Sequence, residues 1–292
     1  MSESRVWDFL HALPKPILKG FLALGARLHH ALDRRHRREC HDMIRLVRPD
    51  WNAEGITKSM YNHIWHLPLS LIEYGKWDDE SCKKQILGFD EFLEEMASLP
   101  EDRGVVFVAA HLGPWELCAQ TIARYYRPVI SLYKPAKQEW INRFFRSARH
   151  RFNQTTLPKE GGMLGLYKHL RRGGAAGLVV DQHAHQDHVE STFLGKPCGS
   201  WDSAAQLAIR AKCSLIPVGI LHEGHQLRFL HGPDLLKEQA NADPHTLTRE
   251  IDKALSGMVE RAPEQWLWLG RRWGRNFQKR MTEGFSEAST SP

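Results

Sequence analysis

The chain has 292 residues, 42% hydrophobic and 25% charged, which supports a buried core and excludes a largely disordered chain. Lysine and arginine (40) exceed aspartate and glutamate (34), a formal charge of +6 that points to an anionic partner: a membrane surface, an acidic protein or nucleic acid. The five cysteines (Cys40, Cys82, Cys118, Cys198, Cys213) are odd in number and contain no C-x-x-C pair, which argues against a disulfide frame and for free, buried thiols.

The N-terminus opens on acidic residues, and Pro14, Lys15, Pro16 and Lys19 interrupt its apolar stretch, so a cleaved signal peptide is not expected. Ile17 to Leu28 is shorter than the ~20 apolar residues that span a bilayer, and no other segment qualifies. Residues 5–48 read as a helical arm. Trp7, Phe9, Leu10, Leu13, Ile17, Leu18, Phe21, Leu22, Leu24 and Leu28 form an apolar stripe, followed by a basic run from Arg34 to Arg48. Such a pair of segments suits an anionic bilayer interface on the cytoplasmic side, or, more plainly, a core-packed helix followed by a solvated basic one.

Helices are expected over 55–76 and 79–99, the second ending at Leu99-Pro100. Val105-Val106-Phe107-Val108-Ala109-Ala110 then reads as a strand covered on both faces. Further strands at 128–133, 176–180 and 215–221 alternate with helical segments, with a hairpin strand at Gln226–Leu230 and a helix over 243–262. The expected fold class is α/β, a central, largely parallel β-sheet flanked by helices with an N-terminal membrane-associating helical arm. The expected organisation is an arm over 1–50, one domain over 51–280 and a frayed tail over 281–292.

The segment of chemical interest is His111-Leu-Gly-Pro-Trp-Glu116, at the carboxyl end of the first strand, where open α/β sheets place their ligands. On one unbroken helix, residues five apart point roughly 140° apart and do not meet. Gly113-Pro114 breaks the chain between strand and helix and lets His111 and Glu116 converge. A carboxylate behind an imidazole fixes its tautomer and makes it a positioned general base. By spacing alone, a His and Glu at a strand end are more often a structural pair than a catalytic one. No G-x-S-x-G motif or activated cysteine accompanies the pair, so a nucleophile within the protein is not expected.

HLGPWE resembles the H-x4-D/E motif of glycerolipid acyltransferases, and specifically the H-F-G-N-W-E form of the bacterial lipid A late acyltransferases, the lauroyl and myristoyl transferase family. Over roughly residues 85–275, the segments GFDEFLEEMASLPEDRGVVFVAAHLGPWEL, LYKPAKQEWINRFF, LRRGGAAGLVVDQH, TFLGKPCGSWDSAAQLAIRAKCSLIPVGI and PEQWLWLGRRW follow that family's order and spacing. The resemblance implies an O-acyltransferase moving a fatty acyl chain from an acyl carrier protein or coenzyme A thioester to a lipid hydroxyl. His111 would be the base and Glu116 its partner. Gly113, Trp115, Lys134, Asp181 and Gln182 would be substrate-binding positions. It implies no cofactor, a lipid A precursor or another lipid as acceptor, and a place at the cytoplasmic face of the inner membrane. The chain departs from the family where Lys134 replaces an arginine and where His183 replaces the second acid of Asp-Gln-Asp.

His183, His185, Asp187 and His188 match no established zinc spacing and read as a solvated or acceptor-facing loop. Trp266 and Trp268 read either as core or, with Arg271, Arg272 and Arg275, as an aromatic-basic rim at a lipid surface. Arg143, Arg146, Arg149 and Arg151 suit an acidic carrier protein or phosphates, or a solvated face. The arginine runs contain no nucleic-acid reader motif, which argues against that partner. A non-catalytic lipid-binding protein of the same fold is the alternative to an enzyme.

Overall fold

The computed structural model describes residues 14–135, 137–184, 188–239 and 242–274. The stripe positions Trp7 to Leu13, His185, Asp187, Arg275 and the 281–292 tail lie outside the described residues. The arm forms two helices, α1 (Lys15–Leu32) and α2 (Arg34–Val47). They break at Asp33, whose carboxylate accepts the His36 N–H and so caps α2. α1 lies along α3 (Ala53–Tyr74), where Leu18 and Leu22 meet Leu69, Ile72 and Trp65. The other apolar positions of α1, Ile17, Phe21, Leu24, Leu28 and Leu32, stay 52–78% exposed. α2 behaves differently: Cys40, Ile44 and Val47 are buried in the same core as the sheet.

The helix expected over 79–99 is two helices, α4 (Asp79–Gln85) and α5 (Phe89–Ala97), with the strand β1 (Ile86–Leu87) between them. Ile86 and Leu87 pair with Leu227 and Arg228 at the sheet edge, a tertiary contact that outweighs local helix propensity. Gly88 makes the turn at φ 77°, where an added Cβ would sit 2.9 Å from the Phe229 carbonyl oxygen.

The body then alternates β2 (Val105–Ala109), α6 (Glu116–Tyr125), β3 (Val129–Tyr133), α7 (Glu139–Arg149), β4 (Gln154–Pro158), α8 (Lys159–Leu170) and β5 (Ala175–Val179). A hairpin of β6 (Val189–Phe193) and β7 (Lys196–Ser200) leads to α9 (Ser203–Ala211), β8 (Ser214–Glu223), β9 (Gln226–His231), α10 (Leu235–Glu238) and α11 (Pro244–Arg261). The seven-stranded sheet has the order β1-β9-β8-β2-β5-β3-β4 and is parallel except for the β8–β9 hairpin. β2 sits between β5 and β8 and is buried at every residue, which is why its sequence is a continuous apolar run. Its residues alternate between the two cores: Val106 and Val108 with α9 and α11, and Val105, Phe107 and Ala109 with α5 and α6.

Residues 263–274 carry Trp266, Trp268 and Trp273, whose rings pack together with Phe193. Trp266 and Trp268 are buried core residues, not a lipid-facing rim, because the hairpin and the body enclose them. Arg271 pairs with Glu39 of α2. Arg272 is fully buried and donates to the Asp252 carboxylate (2.6 Å), the Ser200 hydroxyl (2.6 Å) and the Gly199 carbonyl (3.0 Å). Removing one partner of such a pair strands a buried charge. Asp252→Ala is therefore expected to lower the unfolding free energy by about 3–5 kcal/mol in a urea titration, and a loss under about 1 kcal/mol contradicts the assignment.

Candidate active site

β2 and β5 are parallel neighbours in the register Ala109 to Val179. Two residues past each strand, the same register brings His111 opposite Asp181. The Asp181 carboxylate accepts three N–H groups: His111 Nδ1 at 2.7 Å, the His111 main-chain N–H at 2.8 Å and Trp266 Nε1 at 2.7 Å. Asp181 is 3% exposed, while the His111 side chain keeps 19% of its surface open. With Nδ1 donating to the carboxylate, the neutral imidazole presents Nε2 as its acceptor. Trp115 meets the imidazole edge-to-face, with ring centroids 5.2 Å apart.

The turn after His111 is held from outside. The Gly113 N–H donates to the Gln265 carbonyl (2.9 Å), the Leu267 N–H to the His111 carbonyl (3.0 Å), and Leu112 bridges Trp266. Gly113 adopts φ 57°, and a Cβ there would lie 2.2 Å from the Ile220 carbonyl oxygen, so this position requires glycine. Among the described residues, the Trp115 and Glu116 N–H groups at the start of α6 have no hydrogen-bond acceptor.

Glu116 is not the carboxylate on the imidazole. It opens α6 and takes a bidentate pair from Arg149 at the end of α7, Nε at 2.8 Å and Nη2 at 2.5 Å. The reason is topological: β5 delivers Asp181 to the strand end beside His111, and α7 delivers Arg149 to Glu116. Arg149 is thereby committed inside the protein, unlike the open basic face read from its spacing with Arg143 and Arg146. Next to the pair lies an apolar cavity of about 70 Å³, lined in part by Phe107, Cys118, Ala119, Ile122 and Gly177.

Lys134 is exposed one residue past β3, and Gln182 is exposed beside Asp181, so both lie on the same carboxyl edge as His111. His183 sits under Gly274, and His188 is exposed against Gly199. Arg149 as the Glu116 partner and Trp266 as an Asp181 donor had no signal in the sequence, since neither lies near its partner in the chain.

Burial alone lowers the His111 pKa. The Asp181 charge and hydrogen bond, with Glu116 farther off, outweigh it and leave the imidazole above its ordinary value. Burial raises the Asp181 pKa, but the His111 imidazole and the Trp266 N–H outweigh that and hold the carboxyl below the usual range. Burial pushes the Cys118 thiol up, so it does not act as a thiolate nucleophile beside the cavity.

An imidazole held by a buried carboxylate at a strand end, with an apolar cavity nearby, is suited to acid–base chemistry. Comparison with known proteins makes the class specific. The family model for bacterial lipid A biosynthesis acyltransferases matches residues 4–275, and the chain belongs to that family and is an acyltransferase. It is similar to the lipid A biosynthesis palmitoleoyltransferase of Escherichia coli, 22% identical over 272 residues, covering 89% of this chain and 86% of the relative. It is equally similar to the lipid A biosynthesis lauroyltransferase of the same species, 22% identical over 276 residues with the same coverage.

The two shifts act on stability in opposite directions. The raised His111 pKa contributes stability that is complete below its ordinary value of about 6.5 and is lost as pH rises through the folded value. The lowered Asp181 pKa contributes stability that is present above the ordinary carboxylate range and is lost as pH falls through the folded value. Asp181→Asn removes the charge but keeps the burial. An NMR titration is expected to show the His111 pKa falling below about 6.5 in that variant, and an unmoved pKa refutes the coupling.

Proposed function

We propose that His111, held by Asp181, is the general base of an O-acyltransferase that moves a fatty acyl chain from an acyl carrier protein or coenzyme A thioester to the hydroxyl of a lipid A precursor. The acceptor hydroxyl gives its proton to His111 Nε2 as its oxygen bonds to the thioester carbonyl carbon. The carbonyl oxygen takes the negative charge, and the Trp115 and Glu116 N–H groups at the positive end of α6 would receive it. Collapse breaks the C–S bond, and the departing thiolate takes the proton back from His111. No acyl-enzyme forms, and the chemistry asks for no metal or cofactor. The observation that carries this reading is the Asp181–His111–Nε2 arrangement, whose imidazole packs against Trp115, a lining residue of the apolar cavity.

The pair of Glu116 and Arg149 walls the cavity in which the acyl chain would lie, and Lys134 and Gln182, exposed on the same sheet edge as His111, would meet the acceptor. Lys134 offers an acceptor phosphate a point charge instead of the two-pronged contact of an arginine, which favours a somewhat different acceptor, another glycolipid or an aminolipid, as the second reading. No described helix is long and apolar enough to cross a membrane. The exposed stripe of α1 would instead lie in the interface of the inner membrane at its cytoplasmic face.

His111→Ala is expected to lower acyl transfer by about 10²–10⁴-fold with the circular dichroism spectrum unchanged, and substantial transfer by this variant sinks the mechanism. Leu24→Glu with Leu28→Glu is expected to weaken sedimentation with anionic vesicles at least tenfold while leaving the melting temperature in place. Unchanged sedimentation removes the interfacial role of α1.

A further inference from the structure

α1 has three faces. At about 100° per residue, the exposed stripe Ile17, Phe21, Leu24, Leu28 and Leu32 covers an arc of about 80°. Leu18, Leu22 and Gly25 occupy the next face, against α3. Ala23, Arg27 and His30 occupy the remaining flank, on the far side of the α3 contact from the stripe, and there they line an open cavity of about 460 Å³ with Lys58, Asn62 and His66 of α3. A second open cavity, of about 340 Å³, is lined by α2 residues and by Glu54, one helical turn before Lys58 on the same face of α3. Glu54 lies beside both His30 and His41 and joins the two into one trough.

Its charge is lopsided. Among the described residues that line it, Arg27, Arg34, Arg37, Arg38, Arg45 and Lys58 face only Asp42 and Glu54. Arg34, Arg38 and Arg45 are exposed and have no ion-pair or hydrogen-bond partner among the described residues. Arg34, Arg35, Arg37 and Arg38 also crowd the first turns of α2, which contains no acid in its first turn, although a helix N-terminus already carries partial positive charge. Arg35 is offset by Glu39, Arg37 donates to the His30 carbonyl and Asp33 caps the helix, but Arg34 and Arg38 have no such partner among the described residues, and an anionic partner relieves their repulsion.

We propose that this trough is the docking surface for an acidic carrier protein that delivers the acyl thioester. The inference rests on the acyl-transfer reading above and adds where on the molecule a carrier-bound donor docks. Charge complementarity sets the sign of the partner. The position of the trough favours a soluble one, because insertion of the apolar stripe turns the opposite flank of α1 away from the lipid. α2, which lines part of the trough, is also tied to the segment bearing Trp266 through Glu39 and Arg271.

The test uses full-length protein and fluorescently labelled apo acyl carrier protein. Wild type and His111→Ala are expected to bind it with a strong salt dependence. The triple variant Arg34→Ala, Arg38→Ala, Arg45→Ala is expected to bind at least tenfold more weakly, with an unchanged melting temperature and a shallower salt slope. In transfer assays, KM for the carrier-linked donor is expected to rise by the same factor at constant kcat, with no change for a coenzyme A thioester. Wild-type binding by the triple variant overturns the proposal, as does loss of anionic vesicle binding alone, which assigns the trough to lipid headgroups. Carrier binding that depends on the three arginines in a protein with no transfer activity sustains the docking surface and refutes the transferase reading instead.

Discussion

The buried Asp181 carboxylate is the constraint on which the site depends. A charge at that depth is tolerable only if its oxygens are satisfied, and three N–H donors from two separated parts of the chain meet it. One donor is the main chain of His111, one is its imidazole, and one is the indole of Trp266. The carboxylate therefore orients the base, fixes the start of the turn after β2 and anchors the C-terminal segment in one place. That segment returns the favour by holding the carbonyl of His111 and the N–H of Gly113.

Two carboxylates near one imidazole divide the work. Asp181 sits beside the ring and holds a proton on Nδ1, so the neutral imidazole keeps Nε2 as its free acceptor. Glu116 is neutralised by Arg149 and adds only a weaker upward pull on the His111 pKa. Its bidentate pair joins the start of α6 to the end of α7 and sets one wall of the apolar cavity. The result is a polar strand edge, where the proposed base stands, next to an apolar cavity.

The same layered logic governs the N-terminal helices. α1 is amphipathic, yet much of its apolar surface is left unburied because α3 covers only one face. α2 is strongly basic, yet Cys40, Ile44 and Val47 seat it in the main core. Within the 5–48 arm, α1 thus lies on the surface while α2 is seated in the main core.

Much of the architecture was legible because it rests on local pattern. The β2 run, the strands near 129, 175 and 214, the Gly224 hairpin and the helix from Pro244 to Arg261 all announce themselves in apolar periodicity and turn residues. β1 and β4 did not: two residues at a sheet edge are too few to show a period, and Gln154-Thr-Thr-Leu-Pro158 carries too little apolar character. The sequence by itself determined that His111 ends a buried strand, that Gly113 must turn the chain there and that the positive charge gathers after Leu32. Only the tertiary structure decided which carboxylate meets the imidazole. His111 is five residues from Glu116 and seventy from Asp181, but strand register places the distant one beside it, and register is a property of the sheet, which the spacing of residues along the chain does not contain.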